Sequence, residues 1–364
     1  MKDLTQRLLD LAIQIQQIAA PTFHEGRRAE FVRLLFAREK LKDVSIDPPG
    51  NVFARLPGEG GARPLILSAH MDTVFSEGVS LHLTREPDRI FAPGIGDNSL
   101  GVAALFGLLW SLRLRRLKLP GDVWLVANVC EEGLGDLHGM KAVVDRFGAD
   151  VQAYVVLEGM ALGHIYHRAI GVRRYRVTAR TAGGHAWSDF GQPSAVHELA
   201  RLVTQITALP VPAAPRTTLN VGRISGGTGV NVLAAEASFE LDLRSESLAD
   251  LEQLVKRVEE AVHQAGRDGV TVEAEVIGRR PAGEIPAGHA LVKLAEECLL
   301  EQGIEARLTS GSTDANAPLS RGYPAIVLGI STGGSAHTVH EYIDTPPVQQ
   351  GMEQLVGFVS KVWE

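Results

Sequence analysis

Three apolar runs in this chain each end in a histidine or in carboxylate residues. They are LILSAHMDTV (65–74), which contains His70 and Asp72, DVWLVANVC (122–130), which precedes Glu131 and Glu132, and AYVVL (153–157), which precedes Glu158. Continuous apolar runs of this length, bounded by turns, are typical of strands buried on both faces of a parallel sheet. Because such strands present functional groups at their carboxyl ends, we expect these side chains to meet at one sheet edge.

The composition restricts the class of protein and its partners. The chain has 364 residues, which favours two domains, and its net charge of −7 argues against a nucleic-acid partner. Its two cysteines, Cys130 and Cys298, cannot form a disulfide framework and favour a reducing, cytoplasmic location. The amino terminus (3–21) has the spacing of an amphipathic helix, and the most apolar helix candidate (101–112) is too short to span a bilayer. We therefore expect no membrane partner.

The order of predicted elements divides the chain into two domains. Residues 1–170 alternate helices and strands, and the same texture returns in 281–364. This pattern predicts an α/β domain with a mainly parallel sheet and helices on both faces. Residues 171–280 read as β-α-β-β-α-β with polar and apolar residues alternating along the strands, which predicts an inserted ferredoxin-like α+β domain.

The candidate functional residues are mainly histidines and carboxylates. They are His70, Asp72, Asp97, Glu131, Glu132, Glu158 and His337. Taken singly, most have a plainer interpretation: Asp97 as a helix N-cap, for example, and His70 as a hydrogen-bonded core histidine. Together they suit zinc, with cobalt or manganese as alternatives, and they are too numerous for one tetrahedral ion. The set predicts two divalent ions that share a bridging carboxylate.

Two neighbouring positions suggest a division of roles. If the chain is extended at Glu131 and Glu132, their side chains point in opposite directions, so that one can bind metal while the other acts as general base. An exposed loop is the alternative for such a pair. Asp72, two residues after His70, suits a carboxylate that fixes the tautomer of the imidazole, and its alternative is a turn-forming aspartate.

The order of several short motifs resembles a known enzyme family. HMDTV, PGIGDNSLG, EEGLGDLHG, VLEG, GGHA, GGTGVNV, ELDLRS, GSTDA and HTVHEY follow one another along nearly the whole chain. The set is similar to the dizinc metallohydrolases that include aminoacylase, acetylornithine deacetylase, carboxypeptidase G and peptidase T. The resemblance implies that His70, Glu132, Glu158 and His337 bind metal, that Asp97 bridges the two ions and that Glu131 is the general base. His337 is the implied ligand because the family's histidine stands four residues before a glutamate, here Glu341.

The resemblance also implies roles for the inserted domain as a lid and dimerisation domain. His185 corresponds to a histidine that stabilises the oxyanion, often from the partner subunit of a homodimer. Asn231 and Arg244 correspond to residues that hold a substrate carboxylate, which suits the bidentate geometry of arginine. Gly311 and Ser312, in GSTD, correspond to a substrate-contacting loop. On their own, these residues would be assigned to an exposed strand and to turns.

These residues predict hydrolysis of an amide bond next to a free carboxylate. A di- or tripeptide peptidase is the first interpretation and an N-acyl amino acid deacylase is the alternative, because GSTDA and HTVHEY are more similar to peptidase T. A non-catalytic binding protein on the same fold is the competing class. We expect no serine hydrolase, because that class needs a GxSxG turn after a strand and we find no such motif.

Overall fold

The structure is a computed structural model that describes residues 2–364. The helices are α1 (Lys2–Gln16), α2 (Gly26–Arg38), α3 (Leu100–Leu114), α4 (His138–Phe147), α5 (Ala195–Thr207), α6 (Leu248–Ala265), α7 (Ala290–Leu300), α8 (Asn316–Leu319) and α9 (Val348–Lys361). The strands are β1 (Lys42–Ile46), β2 (Val52–Leu56), β3 (Ala62–His70), β4 (Thr84–Arg85), β5 (Arg89–Phe91), β6 (Gly121–Asn128), β7 (Ala153–Glu158), β8 (His164–Ala169), β9 (Gly171–Thr181), β10 (Gly184–His185), β11 (Thr217–Gly226), β12 (Val232–Leu233), β13 (Glu236–Ser245), β14 (Val270–Arg280), β15 (Gly283–Glu284), β16 (Arg307–Gly311), β17 (Ala325–Gly329), β18 (Gly333–Gly334) and β19 (Tyr342–Asp344).

The chain forms two compact units, each with its own hydrophobic core. Unit 1 joins the chain up to Ala169 with Gly283–Glu364, and unit 2 is Ile170–Ala282. The sequence placed the boundaries at 170/171 and 280/281, within two residues of these points. The roles of unit 1 as catalytic domain and of unit 2 as lid or dimerisation domain stay predictions.

The large sheet of unit 1 is mainly parallel at its centre. Its order is β1-β2-β6-β3-β7-β17-β8-β15, with β16 beside β8. The central strands β6, β3, β7 and β17 run parallel, whereas the pairs β1–β2, β2–β6, β17–β8 and β8–β15 toward the edges are antiparallel. The predicted α/β class is therefore confirmed, and the carboxyl ends of β3, β6 and β7 lie at one edge.

A long apolar segment crosses the core of unit 1. Together with the irregular turn before it, α3 forms the segment Ile95–Leu114, whose 20 residues could cross a membrane by length and composition alone. The length argument from 101–112 was therefore wrong, because the apolar segment extends beyond those residues. Most of this segment is buried in unit 1, where α3 packs against α1, β3 and β7.

A small second sheet of unit 1 was missing from the sequence interpretation. It has the order β18-β19-β5-β4, and β19 pairs with β5 through Tyr342–Phe91 and Ile343–Ile90. The loop after β5 leads to Asp97 and the loop before β19 contains His337. This pairing therefore brings together two loops that are more than two hundred residues apart in sequence.

Unit 2 has the predicted ferredoxin-like arrangement. Its four-stranded sheet has the order β11-β13-β9-β14, and α5 and α6 connect the strands and pack on the sheet. Alternate residues of β13, Phe239, Leu241 and Leu243, are buried in this core. The other face of the sheet carries charged residues. There Arg174 and Arg176 of β9 form ion pairs with Asp242 and Glu240 of β13.

Candidate active site

The predicted ligands of unit 1 meet at the carboxyl ends of the central strands. His70 is the last residue of β3, Glu158 is the last residue of β7, and Glu132 follows β6 by four residues. The side chains form three groups whose nitrogen and oxygen atoms lie within 4.8 Å of one another: His70 with Glu131 and Glu132, His70 with Asp97 and Glu158, and Asp97 with Glu132 and His337. The convergence expected from the strand ends is what the structure shows.

The Asp97 carboxylate lies between the two imidazoles. Its Oδ1 is 3.1 Å from Nε2 of His70, and its Oδ2 is 3.0 Å from Nε2 of His337. His70 Nε2 is also 3.9 Å from Glu158 Oε2, and His337 Nε2 is 3.2 Å from Glu132 Oε1. Two sets of ligand atoms therefore share one carboxylate, with a separate imidazole and a separate glutamate on each side.

The electrostatics of this cluster suit cations. Burial raises the pKa of Glu158 well above its usual range, the charge of His70 opposes this, and the negative charges of Asp97, Glu131 and Asp314 raise it further. Hydrogen bonds that the imidazole of His337 donates to Asp97 and Glu132 raise the pKa of His337 to about 10. Several carboxylates held together in a buried edge repel one another, and divalent ions offset this repulsion. The donor set of imidazole and carboxylate groups fits zinc, cobalt or manganese.

Asp72 is fully buried and contacts the backbone rather than the metal-facing side of the cluster. Its Oδ1 accepts from Glu131 N and its Oδ2 from Glu132 N, both at 2.9 Å. Nδ1 of His70 lies 3.1 Å from the backbone oxygen of Asp72 but 3.6 Å from its carboxylate. The imidazole is therefore fixed mainly by the carbonyl of Asp72, and its carboxylate orients the Glu131–Glu132 backbone.

Comparison with known proteins decides the family. A family model described as peptidase family M20/M25/M40 matches residues 66–361. The chain belongs to this family. It is therefore a metal-dependent peptidase or amidohydrolase, in agreement with the enzyme class predicted from the motifs.

Relatives in the M20 family cover most of this chain. It is 26% identical to carboxypeptidase G2 of Pseudomonas sp. strain RS-16 over 87% of this chain and 78% of the relative. It is 27% identical to acetylornithine deacetylase of Erwinia tasmaniensis over 83% of this chain and 82% of the relative. A solved tripeptidase of Staphylococcus aureus superposes with a TM-score of 0.83 at 21% identity, covering 98% of both chains. That likeness shows the shared fold.

Two buried residues near the candidate metal ligands were not identified from the sequence as functional. Asn98, joined to Asp97 by a cis peptide bond, donates from Nδ2 to Leu157 O at 2.8 Å and accepts from Gly159 N at 3.1 Å, so it fixes the backbone on both sides of Glu158. Asp314, within the GSTD motif, is buried and accepts from Asn128 Nδ2 at 2.7 Å. The GSTD motif could have identified Asp314, but only Gly311 and Ser312 within it were predicted to be functional.

The GSTD loop follows β16 in unit 1. A Cβ on Gly311 would lie 2.6 Å from the ring of Tyr166, so the close approach of that ring requires glycine. Ser312 lies two residues before Asp314, whose partner Asn128 is next to His70 in the register of β3 and β6. The loop therefore lies at the same end of the sheet as the cluster of candidate metal ligands, and substrate contact by Gly311 and Ser312 stays a prediction.

The three candidates in unit 2 do not lie together. His185 pairs with Val232, and Ala186 N donates to Asn231 O at 3.0 Å, so His185 and Asn231 are neighbours beyond the Thr181 end of β9. Arg244 is near the other end of β13, where it pairs with Val172 and its Nε donates to Asp242 at 2.7 Å. From Glu236 to Arg244, β13 spans about 26 Å at ~3.3 Å per residue.

One serine motif was overlooked. GISTG (329–333) follows β17 with the GxSxG spacing of a serine-hydrolase elbow. Ser331 is fully buried, and its hydroxyl donates to the backbone oxygen of Asp344. The hydroxyl is thus part of the small-sheet packing rather than an exposed nucleophile.

Proposed function

We propose that this M20 protein hydrolyses an amide bond next to a free carboxylate, with di- or tripeptides as substrates. The observation that carries the proposal is the pair of ligand groups, His70–Asp97–Glu158 and Asp97–Glu132–His337, that share Asp97. Two zinc ions would be held by these five residues, with Asp97 between them. When bound, such ions supply Lewis acidity and a nucleophilic water at neutral pH.

The residues of the chain supply the proton transfer. Glu131 lies within 4.8 Å of the ligand atoms of His70 and Glu132, and Asp72 holds its backbone in place. We assign to Glu131 the uptake of the proton from the attacking water and its delivery to the leaving amine. His185 would stabilise the oxyanion, and Arg244 would bind the free carboxylate of the substrate through its guanidinium fork.

The geometry of unit 2 supports a homodimer. An extended tripeptide is at most about 11 Å long, which is less than half the length of β13 between Glu236 and Arg244. One substrate therefore cannot touch both Arg244 and the His185–Asn231 pair of the same copy. A second copy of the chain would supply the missing group, and Asn231 would act with His185 rather than with Arg244.

Glu131→Gln tests the catalytic assignment. We expect the variant to keep both metals and to lose at least roughly 100-fold in kcat, since general-base catalysis contributes about 10²–10⁴-fold. The assay would compare metal-loaded and metal-stripped protein on dipeptides, tripeptides and N-acetyl amino acids. Near-normal turnover would remove Glu131 from this role, and the absence of any turnover by metal-loaded wild type would favour the binding-protein interpretation.

The same panel separates the substrate classes. N-acyl amino acid deacylation is the second candidate, because one relative is named acetylornithine deacetylase. Faster hydrolysis of N-acetyl amino acids than of peptides would establish it. Arg244→Ala should reduce the rate for free-carboxylate substrates far more than for amidated ones, whereas Arg176→Ala, an ion-paired arginine farther along the same face, should affect neither.

A further inference from the structure

A buried glutamate lies directly behind the metal cluster and makes contact with the backbone of the Asp97 loop. The Glu341 side chain is 0% exposed. Its Oε1 accepts from Gly96 N and Asp97 N, each at 2.8 Å, and its Oε2 accepts from Gly94 N at 3.2 Å. One carboxylate thus satisfies three peptide N–H groups within four consecutive residues.

This loop depends on such contacts because its backbone is irregular. Asp97 has φ −115° and ψ 85°, and Asn98 has φ −136° and ψ 38°, so regular helical hydrogen bonding is interrupted there. Buried peptide N–H groups need acceptors, and an unsatisfied one costs about 1–3 kcal/mol. The position of the Asp97 carboxylate therefore follows from where Glu341 holds the peptides before it.

Glu341 also belongs to the loop that contains His337. Glu341 N donates to Thr338 O at 3.1 Å, and Glu341 O accepts from Ala92 N at 2.9 Å, so the two loops are joined through one residue. On the other side of this junction, His337 Nε2 lies 3.0 Å from Asp97 Oδ2. If Asp97, Glu132 and His337 bind one metal ion, the distance between Asp97 and His337 must be fixed.

The carboxylate at this position serves the backbone of the Asp97 loop. An apolar residue there would leave the peptide N–H groups of Gly94, Gly96 and Asp97 without this acceptor, at a cost of about 1–3 kcal/mol for each unsatisfied group. These contacts point to the orientation of Asp97 and His337 as the role of Glu341.

We propose that Glu341 is a positioning residue that sets the relative orientation of Asp97 and His337 and so determines metal affinity. The inference rests on the proposed metal centre. Outer residues that orient metal ligands typically contribute 10–100-fold to metal affinity or activity. Glu341 would act on the group shared by Asp97, Glu132 and His337 more than on the group containing Glu158.

Glu341→Gln in the full chain tests this. The amide keeps one acceptor oxygen but turns an NH₂ group toward one of the three peptide donors. We expect roughly 10- to 100-fold weaker Zn²⁺ binding in one of two sites by chelator competition, and an altered Co²⁺ absorption spectrum at saturating metal. Asp122→Asn is the matched control, because Asp122 accepts from Gly58 N at 2.9 Å at the opposite end of β6.

The comparison includes Asp97→Asn, which tests the metal centre itself. If Asp97→Asn binds two Zn²⁺ ions like wild type, the proposed function fails. If Asp97→Asn loses metal but Glu341→Gln keeps wild-type affinity and spectrum, the inference about Glu341 is overturned. If metal-free circular dichroism shows that Glu341→Gln is unfolded, Glu341→Asp decides instead: it keeps the charge but shortens the reach, and wild-type affinity in it would also overturn the inference.

Discussion

The carboxylate of Asp72 holds two consecutive peptide groups in place. It accepts from the backbone N–H groups of Glu131 and Glu132, and the Thr22 hydroxyl donates to Oδ2 at 2.9 Å. Burial would raise the pKa of Asp72, but His70 and these peptide donors hold it below its usual value. The charged carboxylate thus fixes the backbone positions of Glu131, the proposed general base, and Glu132, a proposed metal ligand.

Asp72→Asn should therefore impair catalysis without touching the substrate. The amide presents NH₂ to one of the two peptide donors, so the Glu131–Glu132 backbone must shift. We expect kcat to fall roughly 10- to 100-fold with little change in KM, as measured by steady-state kinetics at saturating metal. Thr22→Val is the control, since it removes one donor and leaves both peptide contacts. Equal losses in the two variants would contradict this role of Asp72.

At the scale of elements, much of the fold follows from local pattern. The apolar runs of β3, β6 and β7 are continuous and end in polar residues, and Leu251, Leu254 and Val258 recur at helical spacing along α6. The strand β1 and the two-residue strands of the small sheet carry no such pattern. These strands form because they pair with strands that are distant in sequence, and a local sequence pattern does not contain that information.

The same limit applies to the site. That His70, Glu132 and Glu158 lie together could be predicted, because each lies at or just after the end of a recognisable strand. The contacts of Asn98 with Leu157 and Gly159 and of Glu341 with Gly94–Asp97 join residues that are far apart in the chain. A single buried asparagine or glutamate has no sequence signature of its own, so these roles required the fold.

An ion-paired glutamate in unit 2 makes a pH-dependent contribution to stability. Glu198, on α5, is 6% exposed, and it accepts from Arg201 and Arg267, each at 2.7 Å. The hydrogen bond from Arg267, assisted by Arg201, lowers the pKa of Glu198 below its usual value of 4.5. A lowered folded-state pKa means that the charged carboxylate stabilises the folded unit above about pH 4.5, and this contribution is lost as pH falls through the lowered value.

Glu198→Gln should accordingly destabilise unit 2 by about 1–2 kcal/mol at pH 7, with the difference from wild type shrinking toward pH 3. Urea unfolding between pH 3 and 7, followed by amide hydrogen exchange in α5, measures this. Glu273→Gln removes a contact of an exposed carboxylate with Arg180 and should change stability by less than about 0.5 kcal/mol. A pH-independent difference for Glu198→Gln would contradict the assignment.

For the whole molecule, the question is whether one chain makes a complete site. Next to His185, the side chains of Trp187 and Phe190 are 87% and 90% exposed, and Val230 beside Asn231 is also exposed. Clustered exposed apolar side chains are a common feature of protein interfaces. Together with the distance between Arg244 and the His185–Asn231 pair, they favour a dimer in which His185 serves the partner's metal centre.

Mixed dimers test this arrangement directly. His185→Ala and Glu131→Gln should each be nearly inactive, yet a random mixture made by co-expression should recover about a quarter of wild-type activity, because half of the dimers are mixed and each has one complete site. If His185 serves its own chain, no mixed dimer has a complete site and activity stays at the level of the separate variants.

The pair of Arg244→Ala with Glu131→Gln is the control. Arg244 lies at the other end of the sheet, so we expect no recovery of activity in this pair. Recovery in the Arg244 pair and none in the His185 pair would reverse the assignment, and sedimentation velocity would show in both cases that dimers had formed.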